Sequence, residues 1–261
     1  MLLPKVLWNS PLRGITPTFS GTTLAGKPPA NAVDWLDFSY FEADSGNLDY
    51  TMTTDTDIDA FSVYVATFTG TGAETITLQY ESSPSAFTTL GTAVNPAGGK
   101  LTWQEFTPVT VSSGRKIRFV INVGTGTLLI RQLVVGEALE METGQFASMV
   151  YPSLNAGVKT SNTQSVNGSI LGRTIKRQEK RGKLSLENLT ASWVRSNWEP
   201  FAAHACRYAF IYAPNTRDYT DEISFATMEG ELKAPMNTAG RGSRMSVEMP
   251  LRMQFADEFK V

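Results

Sequence analysis

The sequence predicts a mostly β protein with one main helix, and three observations carry this prediction. Short runs with a period of two recur along the chain, glycine and threonine are frequent, and charged residues make up only 18% of the 261 residues. Such alternation is typical of strands with one buried face. The predicted fold class is α+β for residues 1–31 and 140–261, with an antiparallel β-sandwich between them.

The main helix is predicted at about residues 189–205. Its apolar residues recur at steps of mostly three and four, which puts them on one face. They are Leu186, Leu189, Trp193, Val194, Trp198, Phe201, Ala202 and Ala205. Asn188 or Thr190 can cap the start through a side-chain oxygen. Pro200 should kink or restart the helix near Glu199, because proline lacks a backbone N–H. We expect the helix to lie across a sheet.

Composition restricts the class of protein. A formal net charge of −2 argues against a general electrostatic attraction to nucleic acid. No apolar run approaches the length of a membrane span, and the N-terminus has no signal-peptide pattern. The single cysteine, Cys206, cannot form an internal disulfide and is expected to be a small buried side chain. These features favour a protein that is assembled inside the cell.

Residues 32–139 have the most regular strand pattern. The predicted strands are Leu48–Thr53, Ile58–Phe68, Glu74–Glu81, Leu101–Val111, Arg115–Val123 and Thr127–Val135. Turn residues such as those of Asn95–Gly99 and Ser112–Gly114 separate them. Antiparallel strands at this spacing indicate a β-sandwich.

The order of these segments resembles the galactose-binding-like jelly roll, also called discoidin-like. The resemblance is carried by the aromatic patch W-L-D-F-S-Y-F at Trp35–Phe41 and by the segments Ile58–Val65, Ile76–Tyr80, Trp103–Val111 and Arg115–Gly136. It implies a sandwich whose two chain ends lie close together, which suits insertion into a host domain. We therefore predict a host domain of residues 1–31 and 140–261 that is interrupted by a sandwich at residues 32–139.

The host segments contain further strands and a Pro- and Gly-rich arm before residue 32. The strands are predicted at Lys5–Trp8, Phe146–Tyr151, Arg173–Arg177, Lys183–Leu186, Arg207–Tyr212, Ile223–Met228 and Ser246–Gln254. The run from R-T-I-K-R-Q-E-K-R-G-K-L-S-L through the helix and Y-A-F-I-Y-A-P-N to G-S-R-M-S-V-E-M-P-L-R-M resembles tail structural proteins of long-tailed bacteriophages, including distal tail and tail-tip subunits. The resemblance implies a β-rich domain with one helix that builds a ring.

Three aromatic residues are candidates for carbohydrate binding. Trp35, Tyr50 and Trp103 have flat rings that could stack on the C–H groups of a sugar. The alternative for each of them is a place in the hydrophobic core. If the rings are exposed, the sandwich could recognise a glycan on a host surface.

The strongest local charge lies in a basic run that we expect to form part of a hairpin. The predicted subunit-interface residues are Arg173, Lys176, Arg177, Lys180 and Arg181. Such a run could face solvent or bind an acidic neighbouring subunit, where it would set the register between subunits. Nucleic-acid phosphate is the alternative partner, but the run contains Glu179 and no interleaved aromatic residues.

The aspartates Asp55, Asp57 and Asp59 resemble the start of a calcium loop. Ala60 and Ala66 stand where that loop needs a glycine and a glutamate. A solvated entry to a strand is therefore the alternative interpretation, and we assign no metal.

Catalytic constellations are sparse. His204 and Cys206 are two residues apart on the predicted helix, and residues at that spacing do not face each other. No pair of carboxylates stands out for glycoside hydrolysis. We assign no catalytic residue and no cofactor, and we expect that the chain is not an enzyme.

The sequence is interpreted as a structural subunit of a bacteriophage tail, from the distal tail or tail-tip ring. Its expected partners are copies of itself in a sixfold or threefold ring, other tail proteins and a host-surface glycan, without nucleic acid or membrane insertion. The expected location is the virion, after assembly in the host cytoplasm. A carbohydrate-binding module is the alternative interpretation, and a hydrolase with an accessory sandwich is the third.

Overall fold

A computed structural model describes residues 3–24, 26–36, 39–69, 74–95, 101–124, 126–144, 156–164, 166–167, 170–216, 222–237 and 244–254. The strands are β1 Lys5–Leu7, β2 Thr18–Phe19, β3 Phe41–Ala43, β4 Gly46–Thr51, β5 Thr56–Thr69, β6 Thr75–Ser83, β7 Ala86–Val94, β8 Leu101–Val111, β9 Lys116–Asn122, β10 Thr127–Gly136, β11 Leu139–Glu140, β12 Ala156–Gln164, β13 Ile170–Thr190, β14 Phe210–Ala213, β15 Ser224–Met228, β16 Met236–Asn237 and β17 Arg244–Gln254. A short 3-10 helix occupies Pro29–Val33, and the main helix follows β13. The predicted mostly β fold class is confirmed.

The chain divides into two compact units. The first consists of Met1–Met141, Arg207–Phe225 and Phe255–Val261, and the second of Glu142–Cys206 and Ala226–Gln254. Residues 1–31, which we predicted as part of a host domain, therefore share a unit with the predicted sandwich. Independent folding of residues 32–139 stays a prediction.

The first unit contains a sandwich of two antiparallel sheets. One sheet has the strand order β3-β10-β5-β8, and the other has the order β2-β4-β9-β6-β7. Between β4 and β10, most successive strands alternate between the two sheets, as in a jelly roll. Along β9, Ile117, Phe119 and Ile121 are buried and the residues between them are more exposed. The alternation in the sequence therefore predicted correctly which residues of this strand are buried.

The two sheets enclose a core of aliphatic and aromatic side chains. Phe41, Leu48, Phe61 and Phe119 are among its fully buried members. Full burial of one such side chain contributes about 1.5–3 kcal/mol to stability. This core is therefore the main source of stability for the sandwich.

A second apolar cluster lies on the outer face of the four-stranded sheet. Ala60 and Tyr64 of β5 and Val134 of β10 contribute from the sheet. Leu7 of β1 and Ile211 of β14 contribute from two strands that pair with each other. Because both faces of the sheet are covered here, the last five residues of β10 are all buried.

In the second unit, the longest strand pairs with two neighbours in turn. β12 pairs with the part of β13 from Ile170 to Lys180, and β17 pairs with the part from Lys180 to Thr190. The predicted separate strands at Arg173–Arg177 and Lys183–Leu186 are thus one continuous strand. Asn188 lies at an irregularity in this strand with φ 62°, a left-handed conformation that asparagine tolerates better than most residues.

The main helix is capped by Thr190, one of the two predicted caps. Its Oγ1 accepts a hydrogen bond from the Trp193 N–H at 3.3 Å. The Glu142 carboxylate accepts hydrogen bonds from both the backbone N–H and the hydroxyl of Thr190, at 2.6 and 2.8 Å. The capping residue is therefore itself held in place.

The predicted kink or restart of the helix near Glu199 appears as a change of helix type, and the backbone stays helical through it. α1 at Ala191–Trp193 continues into a π-helical turn at Val194–Trp198, and α2 occupies Glu199–Ala205. Pro200 has no N–H to donate to the preceding turn, and it lies directly after the π-helical turn, where the regular pattern of helical hydrogen bonds is already altered. The change of helix type therefore coincides with the proline.

Six of the described strands were not predicted from the sequence: the short strands β2, β3, β11 and β16, and the longer strands β7 and β12. β7 is an edge strand with mostly exposed residues, and β12 has few large apolar side chains, so neither has a clear apolar alternation. The predicted strand at Phe146–Tyr151 lies outside the described residues. Within the described part of the chain, no helix is long and apolar enough to cross a membrane.

Candidate functional site

The clearest candidate surface is a two-stranded ribbon in the second unit, which we name the basic ribbon. Its described strands are β12, Ala156–Gln164, and the part of β13 from Ile170 to Lys180, and its charge is counted over residues 156–180 of the sequence. Pairing of β13 with β17 begins only at Lys180, and β12 is the last strand of its sheet. Among the described residues, both edges of the ribbon therefore lack a further strand partner, and such edges are templates for contact with another chain.

The basic ribbon is rich in positive charge. Its cationic residues are Lys159, Arg173, Lys176, Arg177 and Lys180. Its single acidic residue is Glu179, so its net charge is +4 in a chain whose net charge is −2. The ribbon therefore differs in sign from the remainder of the protein.

The register of the basic ribbon places like charges opposite each other. Lys159 is the cross-strand partner of Arg177, whereas Glu179 is the partner of Gly157. Like charges at directly opposite positions destabilise the pairing of two strands. An isolated two-stranded hairpin is at best marginally stable in water. The ribbon is thus a two-stranded element of low intrinsic stability, and its register also places two like-charged residues opposite each other.

The second half of β13 carries cations that bind carboxylates. Arg181 donates a hydrogen bond to Glu229 at 3.0 Å, and Lys183 Nζ lies 2.7 Å from a Glu248 carboxylate oxygen. Lys233 donates to the other oxygen of Glu248 at 3.1 Å. Hydrogen bonds from Lys183 and Lys233 lower the pKa of Glu248. Cations of this part of the strand are therefore matched by carboxylates of the same unit.

The five predicted subunit-interface residues all lie on β13. They are Arg173, Lys176, Arg177, Lys180 and Arg181, of which the first four belong to the basic ribbon. Their role between subunits stays a prediction. Sequence reasoning missed Lys159, because the segment A-G-V-K-T-S-N-T-Q has one large apolar residue and was not recognised as a strand.

A second candidate site surrounds Trp103, and we name it the Trp103 cluster. The Trp103 ring is partly buried at the margin of the second apolar cluster, and its Nε1–H donates to Glu105 at 3.0 Å. Lys5 Nζ lies 2.8 Å from Glu105 and 3.2 Å from Glu140. The indole edge is thus fixed by a carboxylate that is itself held by a cation.

Opposing effects set the pKa values in the Trp103 cluster. Burial raises the pKa of Glu105, but hydrogen bonds from Lys5 and Trp103 lower it by more, so it lies below its ordinary value. Burial lowers the pKa of Lys5, but Glu105 and Glu140 raise it by more. Both groups are therefore charged near neutral pH. Sequence reasoning missed this ion pair because its partners are 100 residues apart.

The other two predicted sugar-stacking residues lie in apolar clusters. Tyr50 is fully buried in the sandwich core, edge-on to Phe119, and burial raises its pKa. Trp35 is only 6% exposed and stacks on Phe225 with a centroid distance of 6.3 Å. Neither ring presents an open face in this structure, so the core interpretation describes both.

The three aspartates of the calcium-like segment bind separate groups. Asp55 accepts a hydrogen bond from the Ser113 N–H at 2.8 Å, Asp57 from the Thr110 hydroxyl at 2.5 Å, and Asp59 from the Ala138 N–H at 2.8 Å. Asp55 and Asp57 are exposed, as expected for a solvated strand entry. Among the described residues, no group of three or more His, Cys, Asp or Glu side chains is arranged to hold a metal.

The prediction that Cys206 is buried is wrong. Cys206 is exposed at the C-cap of α2, because Ala205 takes the last buried position on the helix face. Its Sγ lies 3.9 Å from the sulfur of Met228. His204 lies in the last turn of α2.

No protein-family model matches the sequence, and no curated protein matches it. Similarity is found with solved structures of carbohydrate-binding modules. CBM32-1 from a family 31 glycoside hydrolase of Clostridium perfringens is 14% identical, with a TM-score of 0.41, over 50% of this chain and 99% of that one. A second Clostridium perfringens domain, CpGH89CBM32-5, was solved in complex with GalNAc-β-1,3-galactose and is 12% identical, with a TM-score of 0.41, over 49% of this chain and 100% of that one.

A further similar structure is chitosan-binding module 1 from a chitosanase/glucanase of Paenibacillus sp. IK-5. It is 16% identical, with a TM-score of 0.40, over 49% of this chain and 99% of that one. At these identities and TM-scores, the similarity supports no conclusion about what this chain binds.

Proposed function

We propose that this chain is a structural subunit of a larger assembly and acts through protein–protein interfaces. The basic ribbon carries the proposal. A two-stranded element with a like-charged register pair is marginal by itself. A docked neighbour would cover its edges and neutralise its charge. This role depends on the shape and charge of the contact surfaces, and it requires no catalytic step.

The narrower proposal places the subunit in the tail of a long-tailed bacteriophage, at the distal tail or tail tip. It is supported by the resemblance of residues 173–253 to structural proteins of such tails. Copies of the chain would form a sixfold or threefold ring, next to other tail proteins, in a virion assembled in the host cytoplasm. A closed ring needs a contact between two different surfaces of the same chain, repeated around the axis.

Removal of the ribbon tests this function. Replacing residues 158–178 with Asn-Gly joins the register partners Gly157 and Glu179 through a two-residue hairpin turn. We expect the full chain to form oligomers in sedimentation experiments and the shortened chain to be monomeric with a similar melting temperature. The control Lys233→Gln removes a cation of the same unit outside the ribbon and should leave assembly intact. A full chain that is monomeric at high protein concentration would contradict the proposal.

A second candidate function is carbohydrate binding, which the Trp103 cluster favours. A partly exposed indole offers a flat apolar face, and the neighbouring Lys5, Glu105 and Glu140 can exchange hydrogen bonds with sugar hydroxyls. The similar solved structures are named as carbohydrate-binding modules, but the arrangement at Trp103 is what supports the proposal for this chain.

Binding to a glycan array tests the second function. We expect Trp103→Ala to lose the signal while its melting curve remains cooperative. Trp198→Phe changes a buried tryptophan of the second unit, outside this cluster, and should retain the signal. Equal binding by the wild type and Trp103→Ala would exclude the Trp103 cluster as the sugar site.

A further inference from the structure

The part of the chain that forms most of the sandwich has the opposite charge to the basic ribbon. Residues 32–139 contain twelve carboxylates and five basic residues, a net charge of −7. The ribbon has a net charge of +4. Complementary charge of this size steers association and sets the register of an interface. A second copy of this chain therefore offers the ribbon a surface of the correct sign.

Within the sandwich, Asp55 and Asp57 are the carboxylates best placed to receive a cation. Both are exposed, and neither forms an ion pair with any residue that the structure describes. By contrast, Asp49 binds Arg118 through both of its oxygens, and Glu42 is paired with Lys27. The charges of Asp55 and Asp57 are therefore available to a partner.

The two aspartates are also held in place. The Ser113 N–H binds Asp55, and the Thr110 hydroxyl binds Asp57. Asp57 is the second residue of β5, and Asp55 directly precedes that strand. Two residues at a spacing of two lie on the same side of an extended chain. The pair thus presents two fixed negative charges at one end of the sandwich.

We propose that the basic ribbon of one copy binds the sandwich of a second copy at Asp55 and Asp57. This inference rests on the proposed function as a structural subunit. Carboxylates beside the Lys159–Arg177 pair would turn a repulsion between two cations into attraction across the interface. Each copy would give its ribbon to one neighbour and receive a ribbon from another. Contacts between two different surfaces build rings or open chains, whereas self-complementary contacts build twofold dimers.

A charge-exchange experiment with the full chain tests the inference. The first variant is Arg173→Glu/Lys176→Glu/Arg177→Glu, and the second is Asp55→Lys/Asp57→Lys. In sedimentation equilibrium, we expect each variant alone to associate at least about tenfold more weakly than the wild type. The combined variant should assemble again, because opposite charges then face each other. A mixture of the two separate variants should associate into pairs or alternating assemblies, because only contacts between unlike variants bring opposite charges together.

The matched control for Asp57→Lys is Glu137→Lys, which makes the same charge change at another exposed carboxylate of this segment, one that forms no ion pair with any residue the structure describes. It should associate like the wild type, and melting curves check that every variant is folded.

A monomeric wild type would overturn the proposed function itself. An oligomeric wild type would overturn this inference alone if Asp55→Lys/Asp57→Lys had no effect, or if it weakened association and mixing with the ribbon variant did not restore it. Loss of duplex-DNA binding by the ribbon variant without loss of assembly would also overturn it.

Discussion

Lys159 is the cross-strand partner of Arg177, and a second like-charged pair, Arg181 and Arg252, lies further along the same strand. At the second pair, the Glu229 carboxylate binds Arg181 at 3.0 Å. A like-charged pair is thus accommodated in this fold by a carboxylate beside it. The proposed contact between copies would place carboxylates of a neighbouring copy beside the first pair.

Lys159→Glu should stabilise the ribbon in the monomer. The substitution replaces two opposed cations by an ion pair with Arg177, and cross-strand charge pairs are worth about 0.2–1 kcal/mol. Amide hydrogen exchange at residues 158–160 and 175–178 should therefore slow. Lys159→Gln, which only removes the repulsion, should have an intermediate effect. Faster exchange in Lys159→Glu would show that the register differs from the one described.

Thr190→Ala should destabilise the second unit by about 0.5–2 kcal/mol, the usual effect of losing an N-cap side chain. Both the bond to the Trp193 N–H and the bond from the hydroxyl to Glu142 would be lost. Urea unfolding followed by circular dichroism measures the change. Ser196→Ala, an exposed change further along the helix, is the control and should be nearly neutral. Similar stability of both variants would contradict the capping role.

Asp59→Asn should gain stability relative to the wild type as the pH rises. Burial raises the pKa of Asp59 above its ordinary value of 3.8, so the folded state favours the protonated form. The resulting stabilisation is present below the ordinary pKa and is lost as the pH rises through the raised pKa. Asparagine can still accept the Ala138 N–H but has no charge to desolvate. Unfolding free energies between pH 3 and pH 7 test this, and a difference that falls with pH would contradict it.

Lys5→Met should raise the pKa of Glu105. Burial of this carboxyl remains, while the hydrogen bond and charge that outweigh burial are removed. The stabilisation linked to Glu105 is present above its ordinary pKa of 4.5 and is lost as the pH falls, so the variant should lose less stability in acid. A carbon-13 NMR titration of Glu105 measures the shift. Lys27→Met, whose partner is Glu42, is the control and should leave Glu105 unchanged.

The elements that the sequence predicted well are those with a strong local signal. β8 was predicted at its observed bounds, Leu101–Val111, and the cap at Thr190 and the restart before Pro200 were both predicted. In each case, the deciding chemistry lies within a few residues: an alternating strand, a hydroxyl at a helix start, or a missing N–H. Local propensity and tertiary packing therefore agree at these places.

The candidate sites depend on contacts that no local pattern reports. The Trp103 cluster joins Lys5 to Glu105 across 100 residues, and the basic ribbon pairs a recognised basic run with β12, which has almost no apolar alternation. The exposure of Trp35, Tyr50 and Trp103 was left open, because an aromatic residue in a β-rich sequence can belong to a core or a surface. Only the structure separates the two enclosed rings from the partly exposed one.

The mass of the full chain in solution, measured by sedimentation velocity at increasing salt, tests the central claim most directly. A subunit that assembles through the basic ribbon should form oligomers at low ionic strength. These oligomers should weaken as salt screens the charges over about 8 Å at physiological ionic strength. A chain that sediments as a monomer at every protein and salt concentration would contradict the account.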